Sequence, residues 1–212
     1  MQDFSLTQTP VAALIFIITI ITTIMAFNNE HLLDNLILHP YSVYRKKKVY
    51  TVVTSGLIHG DWMHLLFNMF SYYFFAFGLE RMMGHWQFAL LYIASLILSD
   101  VPTIFKHKNN YNYRCLGASG AVSAVIFAYI LYDPAIKMII MPIPFGIPAI
   151  IFGPLYLLYC HYASKHARDN VNHDAHLYGA LSGIIITLIL HPSVANNFIT
   201  QANGLIQSYL HQ

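Results

Sequence analysis

The chain has 212 residues, of which 57% are hydrophobic and only 9% charged, against about 25% charged in a typical soluble domain. That composition excludes an ordinary soluble globule, and a balance of 11 Lys and Arg against 9 Asp and Glu leaves no polybasic surface for nucleic acid. Two cysteines, Cys115 and Cys160, cannot form a disulfide framework and lack the paired spacing of a zinc fold, so both read as buried apolar residues. No cleavable signal peptide is expected. The first apolar stretch has no basic leader and no small-x-small site before Asn28-Asn29-Glu30.

Cutting the chain at its charges leaves uncharged windows at 5–29, 62–79, 82–99, 115–132, 138–164 and from 175 onward. A bilayer core of about 30 Å needs roughly 20 apolar helical residues, so each window is read as a membrane helix. The reading is therefore a single all-α membrane domain over 1–212 with six transmembrane helices, the first within 1–29. Barrel strands are excluded because they alternate over about 10 residues, and lipid leaves the backbone amides of anything but a helix or a closed barrel unsatisfied.

The connections are unequal. Residues 30–61 make a long first loop, whereas 80–81 and 133–134 are tight turns. In the fifth window Pro142, Pro144, Pro148 and Pro154 break or kink a helix, so that element is expected to begin irregularly and to be comparatively mobile. After Pro192, Val194, Phe198, Ala202, Leu205 and Tyr209 recur at helical spacing among Asn and Gln, which suggests an interfacial helix over 193–212. Charge alone orients the chain with the long loop inside. Arg81 and Lys137 fall on one face, and the other nine cations on the opposite face.

Polar groups within spans are costly, so each one asks for a partner or a function. His64 and Asn68, four apart, project from one helical face, as a helix-to-helix contact or as a pair of hydrogen-bond donors. The fourth window opens Gly117-Ala118-Ser119-Gly120, a serine between glycines at a helix start. The glycines allow close approach to the hydroxyl, and the helix amino terminus favours an anion beside the Ser119 amide. The sixth opens Ala175-His176-Leu177-Tyr178-Gly179, with Gly179 and Gly183 forming a close-packing face and His176 one turn above it. If that face meets the helix starting at Ser119, a hydroxyl and a neutral imidazole come together, the two elements of nucleophilic catalysis. Asp174 points elsewhere on the helix and is not given a role.

At this point the sequence resembles the rhomboid family of intramembrane serine proteases. The resemblance rests on the stretch from His39-Pro40-Tyr41 through His59-Gly60-Asp61-Trp62-Met63-His64-Leu65-Leu66-Phe67-Asn68, on Glu80 with Gly84, on Gly117-Ala118-Ser119-Gly120 and on Ala175-His176-Leu177-Tyr178-Gly179. It covers a core of about 41–191. It implies a six-helix bundle with a long first loop and hydrolysis of peptide bonds in or near transmembrane segments of membrane-protein substrates, with entry past the fifth helix. By position, Ser119 is the nucleophile and His176 its base. His64, Asn68 and the Ser119 amide form the oxyanion hole, His59 lines a water-containing cavity, and Gly117, Gly120 and Gly179 support close approach. No metal or other cofactor is implied. The resemblance also places the amino terminus inside and the site toward the extracytoplasmic face of a multi-pass membrane protein, as in a bacterial inner membrane, and this is followed over the charge count.

Two positions depart from the family pattern. Ser123 stands four residues after Ser119, where many members carry an aromatic ring on the catalytic imidazole, so His176 is expected either to be held by another ring, such as Tyr178 or Phe127, or to be less well oriented. Tyr50-Thr51 replaces a Trp-Arg pair, with the cations at 45–48 as a substitute. Two other readings compete: an inactive rhomboid-like protein that binds client helices, and a metal-handling protein suggested by 12 histidines, among them His161, His166, His173 and His176. Neither a His-Glu-x-x-His zinc motif nor a Gly-x-Gly-Asp aspartyl motif occurs.

Overall fold

Lipid offers backbone amides no partner, and this chain answers with helices almost throughout. The computed structural model describes residues 7–139 and 145–210. In order it contains α1 (Pro10–Phe27), α2 (Glu30–Leu36), α3 (Pro40–Tyr44), α4 (Thr51–Thr54), a 3₁₀ turn (Ser55–Leu57), α5 (Trp62–Met83) and α6 (His85–His107). These are followed by α7 (Ser119–Tyr132), strands β1 (Lys137–Met138) and β2 (Ile147–Pro148), α8 (Ala149–His166), α9 (His173–Leu190) and α10 (Ser193–Leu210).

The six windows correspond to α1, α5, α6, α7, α8 and α9, an all-α membrane bundle. Of these, α1, α6 and α9 are each long and apolar enough to cross a bilayer by length and composition. The others carry polar groups or are short. Two elements differ from the sequence reading. The long first loop is itself largely helical, and the fifth helix starts only at Ala149, after an antiparallel ribbon pairing Lys137 with Pro148 and Met138 with Ile147. Pro148 precedes that helix and Pro154 lies inside it, whereas Pro142 and Pro144 lie outside the described residues.

The bundle is apolar outside as well as inside. Leu14, Ile17 and Ile21 of α1, Phe67, Phe70 and Phe74 of α5, and Ile185 and Ile189 of α9 are exposed, as a lipid-facing surface requires. At the centre stands α7, with Gly120, Ala121, Val122, Ser123, Ala124 and Val125 all buried. At 1.5 Å per residue its 14 residues reach only about 21 Å, short of a bilayer core of about 30 Å.

Helices in lipid have no hydrophobic drive to associate and meet through small residues. A Cβ on Gly179 would sit 2.7 Å from the carbonyl carbon of Gly120, and one on Gly183 would sit 2.6 Å from Cα of Ala124. Thus α7 and α9 touch backbone to backbone. At the far end, α10 buries Val194 and Ala202, and Phe198 packs against Ile130, Met138 and Ala149.

The start of α1 is held by Glu80, which is fully buried and accepts from the amides of Val11 at 3.1 Å and Ala12 at 2.7 Å. Nδ1 of His85 lies 2.6 Å from the same carboxylate. These two amides are among those a helix leaves without internal partners, and a buried donor without a partner costs about 1–3 kcal/mol. Glu80→Ala is expected to lower the thermal unfolding midpoint in detergent by at least that equivalent. Glu80→Gln, which keeps one carbonyl acceptor, should lose less.

Candidate active site

The site is assembled from the amino-terminal ends of three helices. Asp61 caps α5, accepting from the His64 amide at 2.8 Å, and so fixes His64 in the first turn. Asn68, one turn on, donates one amide hydrogen to the His64 carbonyl at 3.0 Å and has its second still to give. Gly117 precedes α7 at φ +114°, a conformation open to glycine, and a Cβ there would lie 2.7 Å from Cε1 and 2.8 Å from Nε2 of His64. The absent side chain is what lets the His64 ring lie against the turn that delivers Ser119.

Ser119 is the first residue of α7. The Gly117 amide is bound to the Ser55 carbonyl at 2.9 Å, and that of Val122 closes the first helical turn on Ala118 at 2.9 Å. The Ser119 amide belongs to the set that a helix amino terminus leaves facing outward.

His176 sits in the first turns of α9. There the side chain of Asn172 accepts from the Ala175 amide at 3.1 Å and from Thr103 of α6 at 3.1 Å. Lys106 of α6 reaches Asp174 at 2.6 Å. Asp174 is therefore spent on α6, consistent with the reading that gave it no role at the imidazole.

His64, Asn68, Ser119, Ser123, Tyr156 and His176 line one cleft of about 1120 Å³. Ser119 and His176 are half-buried within it. Among the described residues they share the cleft without a hydrogen bond between them.

His59 does not line this cleft. It is fully buried behind His64, with ring centroids 4.9 Å apart at 81°. Its Nδ1 lies 3.1 Å from the Thr23 hydroxyl of α1. That hydroxyl donates its one hydrogen to the Leu57 carbonyl at 3.2 Å, so it accepts from His59. The ring is thus held in the Nδ1–H form. Burial also pushes its pKa down to about 3.

The expected ring partners of His176 are not the ones found. Tyr178 is exposed, and Phe127 packs on Tyr156 of α8 at 5.6 Å. The Tyr156 phenol reaches Ser123, with the two oxygens 3.3 Å apart, so a tyrosine enters the cleft from the neighbouring helix. The ring recorded beside His176 is His173, 6.1 Å away at 81°.

The structure also locates the residues of two further readings. Thr51 is buried, donating to the Lys48 carbonyl at 2.7 Å, and Arg45 bonds the carbonyls of Tyr41 and Lys108. Of the histidines grouped around the last loop, His161 pairs with Lys165 and His166 stacks on Tyr162 at 4.3 Å. Only His173 and His176 come together, and Cys160 of α8 joins them. Cys160 is buried as expected, whereas Cys115 is partly exposed and pairs through its backbone with Leu38.

The structure thus defines a class: a helical membrane protein with a polar cleft that brings a serine, two histidines and an asparagine to three helix starts. Comparison with known proteins agrees. The family described as the Rhomboid domain matches residues 46–193. The chain is 29% identical over 147 residues to YdcA of Bacillus subtilis (strain 168), named provisionally as a rhomboid protease, covering 65% of this chain and 65% of YdcA. It is 25% identical over 170 residues to RHOMBOID-like protein 12, mitochondrial, of Arabidopsis thaliana, covering 73% of this chain and 50% of that one. It is also 29% identical over 145 residues to Presenilin-associated rhomboid-like protein, mitochondrial, of Rattus norvegicus, covering 63% and 36%. The chain belongs to the rhomboid family. It matches less than two thirds of the length of each of these relatives.

A methyl group at Gly117 would meet the His64 ring in a backbone conformation that L-residues rarely adopt. Gly117→Ala should displace His64, seen as a shift of its ring resonances in selectively labelled protein. It should also cost about 1–3 kcal/mol of stability.

Proposed function

We propose that this protein is an intramembrane serine endopeptidase that cleaves peptide bonds in or near transmembrane segments of other membrane proteins, through Ser119 and His176. The observation that carries this reading is the shared cleft. A hydroxyl, an imidazole and the His64 and Asn68 side chains line it together with the start of α7.

The chemistry follows from the inventory. Neutral His176 takes the Ser119 proton as the hydroxyl oxygen attacks the scissile carbonyl. The developing oxyanion lies toward the Ser119 amide, the second amide hydrogen of Asn68 and a ring N–H of His64, donors set in place before the charge forms. His176 then passes its proton to the leaving amine, and water resolves the acyl-enzyme by the same steps in reverse. Gly120 and Gly179 keep the two catalytic helices in contact, Gly117 admits the His64 ring, and His59 orients that ring from behind. Entry is past α8, whose interior Pro154 weakens its own ladder. The reading places the protein in a bacterial cell membrane, with the amino terminus inside and the cleft opening to the extracytoplasmic side.

One observation favours a second reading, a rhomboid-like protein that holds client helices without cutting them. Ser123 stands where family members carry the ring that steadies the imidazole. Labelling with a fluorophosphonate separates the two. Activated Ser119 should be modified, and His176→Ala should prevent it. Against a transmembrane substrate, Ser119→Ala and His176→Ala should each lower cleavage by about 10⁶-fold, and Asn68→Ala by about 10²-fold. Folded protein that is neither labelled nor active would overturn the protease reading.

A further inference from the structure

A second cluster of reactive side chains includes His176. Cys160 of α8 and His173 and His176 of α9 place one potential ligand atom each within 4.8 Å of one another. Cys160 is fully buried. His173 is 5% exposed, and its Nε2 lies 3.2 Å from both carboxylate oxygens of Asp169. Its Nδ1 is buried and has no hydrogen-bond partner among the described residues. A ring nitrogen held on a carboxylate while the other is left bare is the outer-shell arrangement of metal-ligating histidines. One thiol and two imidazoles form a borderline-soft set of three, the number that leaves a four-coordinate zinc one open position.

We infer that Cys160, His173 and His176 form a site for a divalent cation of the zinc class, and that its occupancy switches the enzyme off. The inhibitory part rests on the protease reading above. A neutral imidazole has one lone pair. A cation bound to His176 takes that pair, so the ring can no longer accept the Ser119 proton, whichever nitrogen is engaged. Binding releases the Cys160 proton to solvent and leaves a thiolate–metal bond, with no oxidation or reduction. It also staples α8 to α9, closing the side by which a substrate helix enters. Closing the ligands onto zinc needs sulfur and nitrogen at about 2.3 Å and 2.0–2.1 Å from the metal, a movement of α8 toward α9 that its few anchoring contacts permit.

The test separates the site from the activity. In the full-length Ser119→Ala protein stripped with EDTA, Co²⁺ should produce a thiolate charge-transfer band and the visible bands of four-coordinate cobalt, displaced by Zn²⁺. The charge-transfer band should vanish in the same protein carrying Cys160→Ala, and the affinity should fall with His173→Gln. In the chain with Ser119 intact, Zn²⁺ at about ten times its Kd should lower proteolysis about tenfold, as one-site binding requires, with recovery on EDTA. Cys160→Ala and, as a second variant, Cys160→Ser should keep the metal-free rate and lose the inhibition. Three results would overturn the inference: no cobalt band, a band that survives without Cys160, or activity that rises with Zn²⁺. A cobalt band that needs Cys160, in a chain with no metal-free activity, would uphold the metal site and overturn the protease reading instead.

Discussion

The contact on which the rest depends is the meeting of α7 and α9 over Gly120, Ala124, Gly179 and Gly183. No apolar drive pulls two helices together in lipid, so the closeness of these two comes from the absence of side chains between them. Gly120 follows Ser119 directly, and Gly179 stands about one turn below His176. The register of the glycines is therefore also the register of the hydroxyl and the imidazole. A slip of one helical turn, 5.4 Å, would leave a packed bundle and no shared site. The polar work at the top of α9, Asn172 to Thr103 and Asp174 to Lys106, fixes the same register from α6.

The opening of the site has a related origin. α7 is only 14 residues long and enclosed by its neighbours, and its amino terminus opens into a cleft. Irregular backbone within a membrane protein survives only where it faces protein or water. The Gly117 turn does both, backed by Ser55 through its amide and by the His64 ring through its missing side chain. His59 extends the support to α1 by way of Thr23. The first span, which carries none of the family's motifs, thus takes part in holding the donor side of the site.

What the sequence disclosed and what it hid follow from the range of the forces involved. Charges are too expensive in lipid to be misplaced, so cutting at them located the bundle helices and their order. Local periodicity put His64 beside Asn68, and His176 above Gly179. The partners of these residues were another matter. Thr23 lies 36 positions from His59, and Tyr156 lies 33 from Ser123; no periodicity carries that distance. The helical content of the first loop was obscured because α3 and α4 are only 5 and 4 residues long, too short for an amphipathic pattern. The late start of α8 was obscured because the apolar residues of β1 and β2 read as a continuation of the helix.

The replacement at Ser123 shows how a local change redistributes a site. A small hydroxyl there leaves room beside α7, and Tyr156 fills it from α8, bridging to Ser123 and packing on Phe127. The consequence falls on α8, which buries only Ala149, Gly153, Cys160 and Ala163, against nine buried residues on α7. A helix so lightly anchored, with Pro154 inside it, can lean away at modest cost, because its exposed Leu155 and Leu158 are matched to lipid in either position. The Tyr156 bridge to Ser123, the Tyr159 ring against His173 at 5.6 Å and the Lys106 bond to the Ser164 carbonyl are among the contacts that such a movement must break. The Cys160 thiol lies one turn from Tyr156 on the same face, so a tie between it and the histidines of α9 would hold α8 to the bundle and engage the His176 ring at once.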